Sequence, residues 1–278
     1  MAEPLREASR TALGVAALRA AHLTLDAEPW ILDDPIALRL LAPEALSMLM
    51  DEARLQHPVA RALRAHVLLR SRVAEERLEE ACAAGLRQCV ILGAGFDTFA
   101  YRQPAWASAL QIFEVDHPGS QEAKRARLAA AGIVSPPNLV HAPVDFERTP
   151  LDEGLRAAGF DASQPAFFSW LGVTMYLTLP AVRAVFRFIG ALPRSSRVVL
   201  TFAQPEDDAA STLATMAASV GEPWITRFTP QALEAELRHA GFSVVHILEP
   251  EEARRRFFEG RADGLPAPRR ATIAYAEV

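Results

Sequence analysis

Two glycines one residue apart, with an aspartate about twenty residues downstream, are the residues of this chain best spaced to do chemistry together. Gly93 and Gly95 follow the apolar run Cys89-Val90-Ile91-Leu92, and Asp116 closes a second apolar run, Ile112-Phe113-Glu114-Val115. Glycine lets a backbone turn tightly and pass close to a ligand. A carboxylate that ends the next strand is placed to accept hydrogen bonds from ribose hydroxyls. The pair therefore outlines a nucleotide-binding crevice. Its turn reads Gly93-Ala94-Gly95-Phe96-Asp97-Thr98. A dinucleotide site wants a third small residue at position 98, where strand and helix pack closely, and Thr98 suits that poorly. Arg102-Gln103-Pro104 follows soon after, so no long helix is promised whose first amides could hold a pyrophosphate. A ligand without phosphate at that point fits better, and S-adenosylmethionine, an adenosine carrying a zwitterionic tail, is such a ligand.

The elements that must position these residues are legible in outline. Residues 1 to about 80 are rich in Ala, Leu, Arg and Glu and read as helices. Ser9–Ala21 is one, with Ala12, Leu13, Ala16, Ala17 and Ala20 on its apolar side. Asp33-Asp34-Pro35 supplies a cap and a first-turn proline for a helix through Leu41. Pro43 and Pro58 punctuate further helical stretches, the last running from Val59 to Ala84 and stopped by Gly85. From Gln88 the pattern alternates. Strands are expected at Gln88–Leu92, Gln111–Val115, Leu139–Val144, Ala166–Trp170, Arg197–Phe202, Phe242–Leu248 and Thr272–Ala276. Helices are expected at Gln121–Ala131, Leu151–Ala158, Pro180–Ala191 and Pro230–Ala240, the last capped by Thr229. This alternation predicts an α/β fold with a mostly parallel sheet covered by helices on both faces. Residues 1–86 form an expected helical cap region and residues 87–278 the core, with a lid insert at about 204–225 in which Leu213, Met216 and Val220 suit an amphipathic helix.

Composition narrows the function classes. Half of the 278 residues are apolar and 23% are charged, as in ordinary globular domains. The net charge of −5 offers no basic field for nucleic acid or an anionic membrane. No apolar stretch reaches the roughly 18 residues of a membrane span. A basic-then-apolar leader is not apparent, so a cytosolic protein is expected. The two cysteines, Cys82 and Cys89, read as buried thiols rather than a disulfide framework. Seven scattered histidines without metal-ligand spacing predict no metal site.

Longer stretches carry a resemblance. Val90-Ile91-Leu92-Gly93-Ala94-Gly95-Phe96-Asp97-Thr98-Phe99-Ala100-Tyr101-Arg102, then Phe113-Glu114-Val115-Asp116-His117-Pro118, resemble the leucine carboxyl methyltransferase family and its bacterial S-adenosylmethionine-dependent branch. The likeness extends to Ser9-Arg10-Thr11-Ala12, Asp33-Asp34-Pro35-Ile36-Ala37, Arg70-Ser71-Arg72-Val73-Ala74-Glu75, Val144-Asp145-Phe146 and Gly172-Val173-Thr174-Met175-Tyr176-Leu177. It implies a class I methyltransferase, Rossmann-like in fold, with S-adenosyl-L-methionine as cofactor. Carried over, Gly93 and Gly95 would run beside the amino-acid portion and ribose, and Asp116 would bind the ribose hydroxyls. Asp145 and Phe146 would meet the adenine. Arg72, and with it Arg10, would pair with the methionine carboxylate, for which a guanidinium is well shaped. Arg70, Arg72 and Arg77 share one helix and cannot all be ligands. Leu171 stands where relatives carry a glutamate facing the charged end of the cofactor, which implies weakened binding or lost catalysis. His117 either neighbours the pocket or caps the turn before Pro118.

Methyl transfer from a sulfonium asks the protein mainly to align donor and acceptor and to exclude water. Tyr176, just past the fourth expected strand, is the candidate to face the methyl group; packing beneath the lid is its other reading. The implied partner is a small, largely apolar acceptor methylated on a carboxylate or hydroxyl oxygen, and the oligomeric state stays open. Two other functions compete. A nicotinamide oxidoreductase would have to accommodate Thr98, and a non-catalytic S-adenosylmethionine-binding protein would explain Leu171.

Overall fold

The computed structural model describes residues 10–41, 51–205 and 208–278. Seven strands form one sheet: β1 (Gln88–Leu92), β2 (Gln111–Asp116), β3 (Leu139–Pro143), β4 (Ala166–Trp170), β5 (Arg197–Thr201), β6 (Val244–Ile247) and β7 (Ile273–Glu277). Their spatial order is β3-β2-β1-β4-β5-β7-β6. The pairs among β1 to β5 are parallel, while β7 runs antiparallel to both β5 and β6. The reversal has a simple cause. Parallel neighbours need a crossover that returns the chain to the starting edge. The link after β6 holds only the short helix Pro250–Ala253 and one wide turn at Arg254–Phe258, and it stays at the carboxyl edge. β7 therefore enters the sheet from that edge, which brings Arg270 and Thr272 to the crevice.

Both faces of the sheet are covered. Strand side chains alternate between faces, so Cys89 and Ile91 point one way and Val90 and Leu92 the other. On the first side Leu68, Leu69 and Val73 of the long helix Pro58–Ala83 pack with Cys89, Ile91, Phe167 and Val199. On the second, Val182, Val185, Phe186 and Ile189 of helix Leu179–Gly190 join Leu233 and Leu237 over Val90, Phe113, Phe168 and Val198. The long N-terminal helix thus shares a core with the sheet. A run of five buried residues in β1 and again in β4 is what double-sided cover demands.

The first helix spans Arg10–Leu25 and buries Ala16, Ala17 and Ala20 against Phe96 of the glycine turn. Asp34 caps the helix Pro35–Leu40 by accepting the Ala37 amide at 3.0 Å. The segment around Pro43 lies outside the described residues. Helix Pro118–Ala130 begins earlier than the expected Gln121, because His117 caps it and Pro118 takes its first position. The insert between β5 and helix Pro230–His239 carries the helix Asp208–Ser219. No described helix is long and apolar enough to cross a membrane.

Candidate functional site

The strand order reverses between β1 and β4, and in open α/β sheets a ligand crevice lies outside the carboxyl ends of the strands at such a point. A cavity of about 1360 Å³ opens there. Gly93 and Gly95 form its floor beside Asp116, His117, Asp145, Phe146, Leu171 and Tyr176, and all eight line it. The side chain of Arg10 lies outside the described residues. Gly93 has φ of 65°, a backbone that side-chain-bearing residues rarely adopt, and a Cβ there would fall 2.3 Å from Val173 Cγ2. A smaller hollow of about 500 Å³ lies at the opposite end of β1, between Arg87, Gln111, Asn138 and Asp161, away from every candidate residue.

Asp116 accepts the Gly95 amide on Oδ2 at 2.6 Å and the His117 amide on Oδ1 at 2.7 Å. Burial pushes its carboxyl above the usual range, and these amides work against that rise. The Ser120 hydroxyl works in the same direction, and the carboxylate still keeps a lone pair for a further donor. Asp145 accepts the Glu147 amide at 3.0 Å in its own turn and is about one-third exposed. The Phe146 ring is set by Trp170, with centroids 6.5 Å apart. His117 meets both of its readings: it lines the cavity, and its Nδ1 accepts the Gly119 amide at 3.2 Å. Leu171 packs partly buried among apolar neighbours of the long-helix side.

Arg72 is not brought to the cavity. Its side chain is 49% exposed and pairs with Glu76 at 2.9 Å. The cavity-facing stripe of that helix is Val59, Leu63, His66 and Arg70, spaced four, three and four residues apart. Those are the intervals that keep side chains on one helical face. Arg70 lies against Gly172, and its buried Nε has no hydrogen-bond partner among the described residues. Burial and the nearby Arg19 lower its pKa to about 10, while Tyr176 and Asp97 oppose the shift. His66 is pushed down to about 3, first by burial and then by Arg70, so its ring is neutral; its Nδ1 sits 3.5 Å from Thr272 Oγ1. Helical phase was the signal that could have identified both.

Thr98 also finds its reason here. It is 1% exposed and donates to Asp34 Oδ2 at 2.6 Å. Asp34 also receives Arg19 Nε at 2.8 Å, and Arg102 donates to Thr98 at 3.2 Å and to Glu75 at 3.0 Å. Burial would raise the Asp34 carboxyl, but Arg19 and Arg102 together hold it below the ordinary range. A hydroxyl at position 98 thus rivets the glycine turn to the N-terminal helices, where a dinucleotide site would need a small residue.

The roof comes from the insert. Leu213, Met216 and Ala217 of helix Asp208–Ser219 line the cavity, as do Val220, Glu222 and Trp224. Thr11 of the first helix donates a short hydrogen bond to Glu222, so two covering elements are fastened to each other. Among the described residues no cluster of His, Cys, Asp and Glu is placed to hold a metal ion.

Seven strands with one reversed, helices on both faces and a roofed crevice at the carboxyl edge define a class I, Rossmann-like α/β protein of the methyltransferase type. Solved structures share that fold. A Streptomyces avermitilis DUF574 family protein superposes with a TM-score of 0.59 at 16% identity, covering 97% of each chain. A Thermobifida fusca protein, provisionally described as a methyltransferase, gives 0.57 at 22% identity, covering 86% of this chain and 91% of its own. The leucine carboxyl methyltransferase family model matches residues 12–190, and the chain belongs to that family. YktD of Bacillus subtilis, provisionally named an S-adenosyl-L-methionine-dependent methyltransferase, is 35% identical over 188 residues, 65% of this chain and 62% of the relative. A Mycobacterium avium protein with the same kind of name is 38% identical over 120 residues, 43% of this chain and 38% of its own. The match thus spans less than two thirds of either relative's length.

Proposed function

We propose that the chain is an S-adenosyl-L-methionine-dependent methyltransferase that methylates a carboxylate or hydroxyl oxygen of a small, largely apolar acceptor. The observation that carries this reading is the Arg70 guanidinium, its buried Nε without a partner, in the same cavity as Asp116 and the glycine turn. A buried polar atom left unpaired is costly unless a ligand completes it, and a guanidinium matches a carboxylate. Asp116 keeps a lone pair for the ribose hydroxyls, Asp145 is placed to receive the adenine amine, and Phe146 offers a ring to the base. The names of the relatives agree with this ligand.

The bound cofactor supplies a methyl group on a sulfonium, an electrophile that needs no protein nucleophile. The residues of the chain align the reactants and exclude water. Tyr176 and His66 line the same cavity as the apolar Val59, Leu63, Leu213, Met216 and Val220. A carboxylate acceptor needs no base. A hydroxyl acceptor could hydrogen-bond to His66, whose neutral ring is an acceptor but, with its pKa lowered to about 3 by burial and Arg70, only a weak base. The roof over the cavity keeps water from competing.

Titration calorimetry with S-adenosylmethionine, S-adenosylhomocysteine and NAD tests the reading. Binding of the first two and not the third is the expected result; NAD binding alone would replace it with the oxidoreductase. Tight S-adenosylmethionine binding without label transfer from a methyl-labelled cofactor to any of a broad panel of acids, phenols and alcohols would instead favour the non-catalytic binding protein.

A further inference from the structure

The tail of the proposed cofactor is a zwitterion, so an arginine for its carboxylate is half of a site. Its ammonium needs an acid, and Leu171 at the end of β4 cannot supply one. Among the described residues the other carboxylates lining the cavity are mostly committed. Asp116 accepts two amides and in the reading above is taken by the ribose. Asp145 closes its own turn with Oδ1, and its Oδ2 lies 3.8 Å from Arg148 Nε. Glu147 accepts the Thr178 amide at 2.8 Å and its hydroxyl at 2.9 Å. Glu222 holds Thr11.

Asp97 differs. It lies at the end of the glycine turn and lines the same cavity as Arg70. Its Oδ1 accepts the Phe99 amide at 2.9 Å, while Oδ2 has no hydrogen-bond partner among the described residues. Arg70 feels the charge of Asp97, yet no salt bridge joins the two. Opposite charges at a partly buried wall gain by pairing directly. Here Asp97 is carried by the turn after β1 and Arg70 by the long helix, and each keeps bonding capacity in the cavity that both line. A ligand with a carboxylate and an ammonium on one carbon is complementary to that arrangement.

We propose that Asp97 and Arg70 form a split clamp for the amino-acid tail, Asp97 taking the ammonium and Arg70 the carboxylate. The clamp rests on the cofactor reading above. It makes Asp97, in place of an acid at position 171, the residue that recognises the amine, and it explains how the site tolerates Leu171.

The test is calorimetry on the full chain and on Asp97→Asn, a change that keeps the acceptor for Phe99. Three ligands separate the parts: S-adenosylmethionine, decarboxylated S-adenosylmethionine, which retains the amine, and 5′-methylthioadenosine, which has no amino-acid tail. The expected result is a loss of about tenfold or more for both amine-bearing ligands, with 5′-methylthioadenosine unchanged. Equal losses for all three would reduce Asp97 to a support of the turn and overturn the clamp. Unchanged affinity for S-adenosylmethionine, or a loss confined to it, would overturn it too. An unmodified chain that binds no S-adenosylmethionine would instead overturn the cofactor reading, and the clamp with it.

Discussion

Arg70 is held so close to Gly172 that one methyl group there would displace it. A Cβ on Gly172 would lie 2.6 Å from Nη1, at a φ of 76° that already disfavours a side chain. Gly172→Ala is therefore expected to behave as a partial loss of Arg70. Arg70→Leu should lower S-adenosylmethionine affinity by about tenfold or more, as for one charge-assisted hydrogen bond, and Arg72→Leu should leave it unchanged. Calorimetry on the three variants checks this, and equal effects of the two arginine changes would contradict it. Two residues along a helix turn a side chain by roughly 200°, which is why these neighbours differ so completely. Sequence motifs found the strand-end residues Gly93, Gly95 and Asp116 because a strand's direction fixes where it ends. Arg70 and Arg72 fall in one motif, and only the phase set by Val59, Leu63 and His66 separates them. His66 gives a second test at this scale. Its pKa of about 3 in the folded chain lies below the ordinary 6.5, so the unfolded chain binds its proton more readily. Its stabilising contribution is complete above pH 6.5 and is lost as the pH falls toward 3. Thermal unfolding of His66→Gln should accordingly show a shallower decline across that window than the parent; parallel profiles would place the titration elsewhere.

At the scale of elements, helix Leu179–Gly190 lies close against the end of helix Pro230–His239. A Cβ on Gly190 would stand 1.9 Å from the Ala240 carbonyl oxygen, a backbone atom that cannot yield. Gly190→Ala should destabilise the chain by about 1–3 kcal/mol or more, read from denaturant unfolding. An unaffected midpoint would mean the two helices can separate freely. The helices themselves were readable from caps and stops such as Thr229, which accepts the Ala232 amide at 3.1 Å. The direction of β7 was not readable, because strand sequence encodes burial rather than polarity. The connection decides polarity, and its short helix and wide turn carry no crossover pattern. The roof has its own test. Glu222→Ala removes the carboxylate that accepts from Thr11 across the roof and should speed S-adenosylmethionine dissociation several-fold in stopped-flow measurements, because most affinity changes appear in the off-rate. An unchanged rate would show that the roof is held by its apolar contacts alone.

At the scale of the whole molecule, the cavity draws its wall from Thr11 near one end of the described chain and Thr272 near the other. A ligand bound there bridges the N-terminal helices, the sheet and the insert. At one hundred times its dissociation constant it would add about 2.7 kcal/mol to stability. The melting temperature should rise in one transition rather than for one part alone. The position of β7 between β5 and β6 has a consequence for the order of manufacture. While the chain is being synthesised, β6 leaves the ribosome before the strand with which it pairs, and β5 waits with an open edge. The parallel pairs from β3 to β5 can form early, but the sheet closes only when residues 273–277 emerge. A nascent chain arrested before β7 should carry the glycine turn and Asp116 yet hold no cofactor, so that ligand capture waits for β7.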